Sequence, residues 1–150
     1  MIKSIAHVAV STLELERSRA FYEQLLGLSV VADFYLDDRG IDNVVQIDNA
    51  RLHILMLATP DDPSGAVVEL THYETPKGKP MPADFRYNNV GVTHICFWVD
   101  DVDADYQRLS KAGVVFNSEP QTVDVKGIGT VKAAYFRDPD NNSLELLQVC

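Results

Sequence analysis

Cysteine is scarce in this 150-residue chain. Only Cys96 and Cys150 are present, and they fit no CxxC spacing. A disulfide framework or a cysteine-built zinc clip is therefore excluded, and a reducing cytoplasm is the expected home. No apolar run approaches the roughly 18 residues of a spanning helix, and the opening Met1-Ile2-Lys3-Ser4-Ile5-Ala6-His7 has no apolar leader pattern. Basic residues are also in short supply: 13 Lys and Arg face 22 Asp and Glu, a net charge of −9. Such a surface repels phosphate backbones and anionic lipid, so neither nucleic acid nor membrane is an expected partner. What remains is an ordinary globular mixture, 46% hydrophobic and 23% charged. A chain of this size buries roughly 70% of its unfolded surface, enough for a core without staples.

The chain reads twice. Residues 4–11, Ser-Ile-Ala-His-Val-Ala-Val-Ser, have the pattern of a half-buried strand, and residues 91–99, Gly-Val-Thr-His-Ile-Cys-Phe-Trp-Val, repeat it with a His at the matching place. A helix follows each. The first opens on the capping-box pattern Ser11-Thr12-Leu13-Glu14, carries Ala20, Phe21, Leu25 and Leu28 on one side, and stops at Gly27. The second opens at Asp100-Asp101, where the helix dipole favours acids, carries Val102, Tyr106 and Leu109, and stops at Gly113.

Strand sequence follows each helix. In the first half the strands are 29–36, 51–58 and 66–73, with a loop or short helical turn over 37–50 and a Pro/Gly turn over 59–65. In the second half they are 114–117, 129–137 and 143–149, with a loop over 118–128 and a turn at Asp138-Pro139-Asp140-Asn141-Asn142. The expectation is one α+β domain over 1–150. It comprises two βαβββ modules in tandem, about 1–73 and 91–150, joined by a Pro-rich linker over 74–90, with a curved mixed sheet around a central site.

Four polar residues break the apolar strand pattern. His7 and His94 lie in the first strand of each half, and Glu69 and Glu145 in the last. His7 precedes Glu69 by 62 residues and His94 precedes Glu145 by 51. The longer 37–50 segment absorbs the difference. Two modules related by a pseudo-twofold bring all four together, and four such groups are costly to bury unless paired or metal-bound. Two imidazoles and two carboxylates suit one divalent metal ion: Zn, Ni, Co, Mn or Fe.

Other candidates have plainer readings. His53 is read as structural or pocket-lining. His72 is three residues from Glu69 and so points to the opposite sheet face. Cys96 has no visible activator. Gly127-Ile128-Gly129 lacks the context of a dinucleotide loop and reads as a turn, with Lys126 available to a substrate. Lys77 and Lys79 read as solvated linker residues.

Several segments together resemble the vicinal oxygen chelate superfamily, which includes glyoxalase I, bleomycin-resistance proteins, methylmalonyl-CoA epimerase and extradiol dioxygenases. They are Ile5-Ala6-His7-Val8-Ala9-Val10, Phe21-Tyr22-Glu23-Gln24-Leu25-Leu26-Gly27-Leu28, Val68-Glu69-Leu70, Thr93-His94-Ile95-Cys96-Phe97-Trp98-Val99-Asp100-Asp101 and Phe136-Arg137-Asp138-Pro139-Asp140-Asn141-Asn142-Ser143-Leu144-Glu145-Leu146. The resemblance implies a metal held by His7, Glu69, His94 and Glu145. It also implies Glu145 as catalytic base with Glu69 as its symmetric alternative, a small-molecule substrate with adjacent oxygens, and a homodimer. The implied activity is a glyoxalase I-like lyase or isomerase that shuttles a proton α to a carbonyl through a metal-bound enediolate. The alternatives it offers are an epimerase, an Fe(II) ring-cleaving dioxygenase, or a non-catalytic binder of small molecules. Glyoxalase I usually has Arg and Asn for glutathione where this chain has Ser11 and Tyr73, so weak or absent use of glutathione is expected. The last turn usually has Gly; Asn141 or Asn142 replaces it, and Asn tolerates left-handed backbone.

Overall fold

The computed structural model describes residues 1–62, 65–82 and 84–150. Residues 63 and 64 of the expected Pro/Gly turn and residue 83 of the linker lie outside them. The chain divides into two compact units, Met1–Pro80 and Met81–Cys150, each built on a four-stranded mixed sheet.

In the first unit the elements are β1 (His7–Thr12), α1 (Leu15–Ala20), a π-helical turn over Phe21–Leu25, β2 (Ser29–Leu36), α2 (Arg39–Val45), β3 (Arg51–Ala58) and β4 (Val67–Thr75). The sheet order is β1-β4-β3-β2, with β1 parallel to β4 and the other pairs antiparallel. Central β3, Arg-Leu-His-Ile-Leu-Met-Leu-Ala, is buried on both faces over Ile54 and Leu55, which explains its nearly unbroken apolar run. On one face Val10, Leu55, Leu57, Val68 and Leu70 are buried, and α1 packs against β4. On the other, Ala50, Leu52 and Ile54 form a cluster with Phe34, Ile41, Val45 and Tyr73.

The capping box takes a different form from the one expected. The N-cap residue of α1 is Glu14, whose side chain makes no capping bond. Thr12 is still the last residue of β1; its Oγ1 accepts from Glu14 N and bonds the buried Ser18 Oγ at 2.6 Å. The hydroxyl thus ties strand to helix instead of capping the first turn. Gly27 does end the helical run, at φ 78. The short helix expected within 37–50 is α2, capped by Asp38, whose Oδ1 accepts from Ile41 N.

In the second unit the elements are β5 (Ile95–Trp98), α3 (Val102–Lys111), β6 (Gln121–Val125), β7 (Gly129–Arg137) and β8 (Ser143–Val149), in sheet order β5-β8-β7-β6. Asp101 caps α3 through Ala104 N. Val102 and Leu109 on α3, with Ala134, Phe136, Leu144 and Leu146 on the sheet, make the core. Each of these buried Val, Leu and Phe side chains contributes about 1.5–3 kcal/mol.

Here one expectation is corrected. Residues 114–117 form no strand, and the expected loop over 118–128 contains β6. The outer edge of β7 is shared between two segments. β6 pairs with residues 129–133, while Phe116 makes an isolated bridge to Phe136, and Asn117 N donates to Tyr135 O. Pro120 lies between these segments. It has no N–H to give the ladder, so the edge is broken in two.

The turn between β7 and β8 is built by Asp138, which is buried and whose carboxylate accepts from Asp140 N, Asn142 N and Asn142 Nδ2 at 2.7–2.9 Å. Asn141 takes the left-handed conformation, φ 69, where Gly would ordinarily stand. This turn sets the register that places Tyr135 opposite Glu145.

Candidate metal and substrate site

The two units present the same construction. In the first, Ala9 on β1 lies directly opposite Glu69 on β4, and His7 is two residues before Ala9 on the same face. In the second, Cys96 on β5 lies opposite Glu145 on β8, and His94 is two residues before Cys96. The internal repeat therefore holds at the level of strand register. His7 Nε2 stands 3.6 Å from Glu69 Oε2, and His94 Nε2 stands 3.0 Å from Glu145 Oε2.

Neighbouring groups orient each pair. Thr71 Oγ1 donates to Glu69 Oε1 at 2.9 Å, which leaves Oε2 turned to His7. His94 Nδ1 is 3.0 Å from Thr93 Oγ1. A tautomer whose Nδ1–H donates to that hydroxyl leaves a lone pair on Nε2, facing a carboxylate oxygen. Two such acceptors at that distance need a proton or a cation between them. Two donors bound to one ion at about 2.1 Å stand about 3.0–3.4 Å apart, close to both observed separations. The residues present thus fit a divalent ion in donor type and spacing. Among the described residues, no three His, Cys, Asp or Glu side chains are gathered closely enough to hold one metal ion. Each unit has one His–Glu pair.

Glu145 is the more deeply enclosed of the two acids, 8% exposed, and it has further partners. The Tyr135 phenol and the Cys96 thiol both lie close enough to its side chain to feel its charge. Partial burial first, and then the Glu145 charge, push Tyr135 up to about 12. The same two causes, in the same order, push Cys96 up to about 12. Cys96 keeps solvent contact as a residue, yet its thiol is dehydrated by the sheet face and held protonated beside a carboxylate. A thiol held protonated is in keeping with the absence of an activator in the sequence.

His94 and Tyr135 also line a cavity of about 470 Å³, completed by Tyr87, Thr93, Asn117 and Ser118. Tyr87 belongs to the stretch read as linker. Its ring meets Tyr135 edge-on at 5.3 Å and carries the Arg137 guanidinium over its face, and its Oη accepts from Asn117 Nδ2 at 2.8 Å. Sequence reasoning missed Tyr87, Asn117 and Tyr135. Tyr135 has a signal that was available, since it pairs with Glu145 across the Asp138 turn. Tyr87 and Asn117 have none, because loops bring them in.

The remaining candidates lie elsewhere. His72 is on the opposite sheet face from Glu69, with Nδ1 3.0 Å from Thr12 O. His53 pairs with Asp33 at 2.7 Å and stacks on Tyr35. Tyr73 packs into the Ala50–Leu52–Ile54 cluster, and Ser11 is exposed on β1. Lys126, Gly127 and Ile128 form the β6–β7 turn.

Comparison with known proteins agrees with this architecture. The Glyoxalase/Bleomycin resistance protein/Dioxygenase superfamily matches residues 4–146, and the chain belongs to that superfamily. It is similar to a probable lactoylglutathione lyase of Vibrio cholerae, 31% identical over 144 residues, covering 96% of this chain and 89% of that one. It is also similar to the human mitochondrial methylmalonyl-CoA epimerase, 30% identical over 125 residues, covering 81% of this chain and 60% of the relative. A crystal structure of a glyoxalase family protein from Bacillus cereus superposes with TM-score 0.83 at 20% identity, covering 99% of this chain and 95% of the other, a likeness of fold. Among the described residues no helix is long and apolar enough to cross a membrane.

Proposed function

We propose that this protein is a divalent-metal-dependent lyase or isomerase that moves a proton α to a carbonyl. His7, Glu69, His94 and Glu145 are the proposed metal ligands. The observation that carries the reading is the matched pair of His–Glu contacts in equivalent register, one of them opening onto a cavity. The relatives named as a lactoylglutathione lyase and a methylmalonyl-CoA epimerase support it at the level of reaction class.

The bound ion would supply Lewis acidity, stabilising negative charge on the substrate oxygens. The chain's own residues do the rest. Glu145 takes the proton from the carbon next to the carbonyl and returns it at a neighbouring position or the opposite face. Tyr135 and Cys96 flank it in the sheet on β7 and β5. Thr71 fixes Glu69 as a ligand. Glu145 is preferred to Glu69 as base because the cavity lies at the second pair, where His94 and Tyr135 are walls.

The test is solvent deuterium uptake into a panel of α-hydroxycarbonyl compounds by the Ni²⁺- or Zn²⁺-loaded protein. Glu145→Gln should slow uptake about 10²–10⁴-fold, the usual cost of losing a general base. Glu69→Gln should be milder. Equal losses would mean the acids share the role. Full exchange in Glu145→Gln would remove it as the base.

A further inference from the structure

The cavity beside His94 has a chemistry of its own. Its walls are Tyr87, Thr93, His94, Asn117, Ser118 and Tyr135. They offer aromatic surface and neutral hydrogen-bonding groups, with no Lys or Arg among them. The Arg137 guanidinium, which lies over the Tyr87 ring, is already committed. It lies 5.1 Å from the Tyr87 ring centroid and 5.8 Å from that of Phe85, and it donates to Asn141 O and Ser143 Oγ. Lys132, on the same strand as Tyr135, is paired with Asp103. In the metal-free chain an anionic group entering the cavity would meet no Lys or Arg on its walls, inside a chain whose net charge is −9.

An uncharged ring meets the opposite conditions. Tyr87 and Tyr135 stand at 81° to one another, and His94 stands at 70° to Tyr135. A planar guest can therefore lie on one face while meeting the edge of another, the arrangement aromatic groups prefer. Polar atoms sit beside these rings. Tyr87 Oη accepts from Asn117 Nδ2 and so keeps its own proton for a guest oxygen. Asn117 Oδ1 is a carbonyl acceptor for a guest hydroxyl. The volume of about 470 Å³ is ample for a single substituted ring.

We propose that this cavity is a binding subsite for an uncharged aromatic ring bearing a hydroxyl or carbonyl oxygen, and that its walls, without the ion, select against carboxylate- or phosphate-bearing handles. The inference deepens the proposed function, since His94 is both a cavity wall and one of the proposed metal ligands. It names the class of substrate whose reacting oxygens would be delivered to the second His–Glu pair.

The test uses 4-hydroxybenzyl alcohol and 4-hydroxybenzoate, rings of similar size that differ in charge. Each is titrated into the full ¹⁵N-labelled chain freed of metal, with the Asn117 side-chain amide as reporter, and Ni²⁺ affinity is measured separately by calorimetry. The neutral ring should bind at least tenfold more tightly than the anion and should shift the Asn117 amide. Tyr87→Ala and Asn117→Ala should each weaken it about tenfold or more while Ni²⁺ affinity stays within twofold. Ser118→Lys changes an exposed loop residue and places a cation at the wall. It should raise 4-hydroxybenzoate affinity about tenfold or more, and this gain cannot come from misfolding. Equal or tighter binding of the anion by the parent chain would overturn the proposal, as would unchanged ring binding in both alanine variants. Loss of Ni²⁺ binding with ring binding intact would count against the metal reading alone.

Discussion

Replacing Asp138 with Ala should destabilise the second unit by about 3 kcal/mol. The carboxylate accepts two backbone N–H groups, Asp140 N at 2.9 Å and Asn142 N at 2.7 Å, and the side-chain amide of Asn142 at 2.9 Å. A hydrogen bond to a charged group contributes about 1.5–3 kcal/mol. Asp140 and Asn142 are only half-buried, so water replaces part of what is lost. The lower figure therefore applies to each stranded backbone donor, and the Asn142 amide can turn to solvent. Two donors at about 1.5 kcal/mol give the total. Asp138→Asn keeps one oxygen for the same two donors and loses only the charge, so it should cost about 1 kcal/mol. Urea unfolding followed by far-UV circular dichroism and by Trp98 fluorescence reads both variants, with an unchanged slope expected. Trp98 lies in β5, the strand beside β8. A loss below about 1 kcal/mol for Asp138→Ala would refute the reasoning, as would an Asn variant as damaged as the Ala variant.

Two other outcomes follow from particular residues. Asn141 sits at φ 69, so Asn141→Gly should stabilise the turn by a few tenths of a kcal/mol and Asn141→Val should cost about 1–2 kcal/mol, read in the same urea series. Cys96, held near 12 by burial and by Glu145, carries a thiolate fraction of only about 10⁻⁴ at pH 8, against roughly a quarter for an ordinary thiol. Because the raised value favours the protonated form, iodoacetamide should label Cys96 in the metal-free protein at least ~100-fold more slowly than a free cysteine, rising about tenfold per pH unit toward pH 11. Peptide mapping after timed labelling checks this, and fast labelling at pH 8 would contradict it.

Much of this architecture was legible in the sequence because the repeat carries it. His7 and His94 fall at the same place in two similar strands, and Glu69 and Glu145 in two closing strands. The strand register reproduces that equivalence through Ala9–Glu69 and Cys96–Glu145. The β7–β8 turn was also legible, because Asn at a left-handed position has a local physical reason. Edge strands were harder. The pattern of Val114–Asn117 predicts a strand, but edge pairing depends on a partner, and Pro120 divides the edge of β7 between two segments. The cavity was not legible. Tyr87 comes from a stretch whose prolines mark it as a connector, and Asn117 from an irregular segment. Both acquire a role only from what Arg137 and Tyr135 place beside them.

The central claim is that His7, Glu69, His94 and Glu145 hold one divalent ion. Its most direct test is metal stoichiometry and affinity for Ni²⁺ and Zn²⁺ by calorimetry and elemental analysis, on the parent, His7→Ala, His94→Ala and His72→Ala. The account predicts about one ion per chain in the parent and in His72→Ala, whose imidazole faces away from Glu69, and loss of most bound metal in the other two. Binding by both His7→Ala and His94→Ala at the parent's affinity and stoichiometry would contradict it.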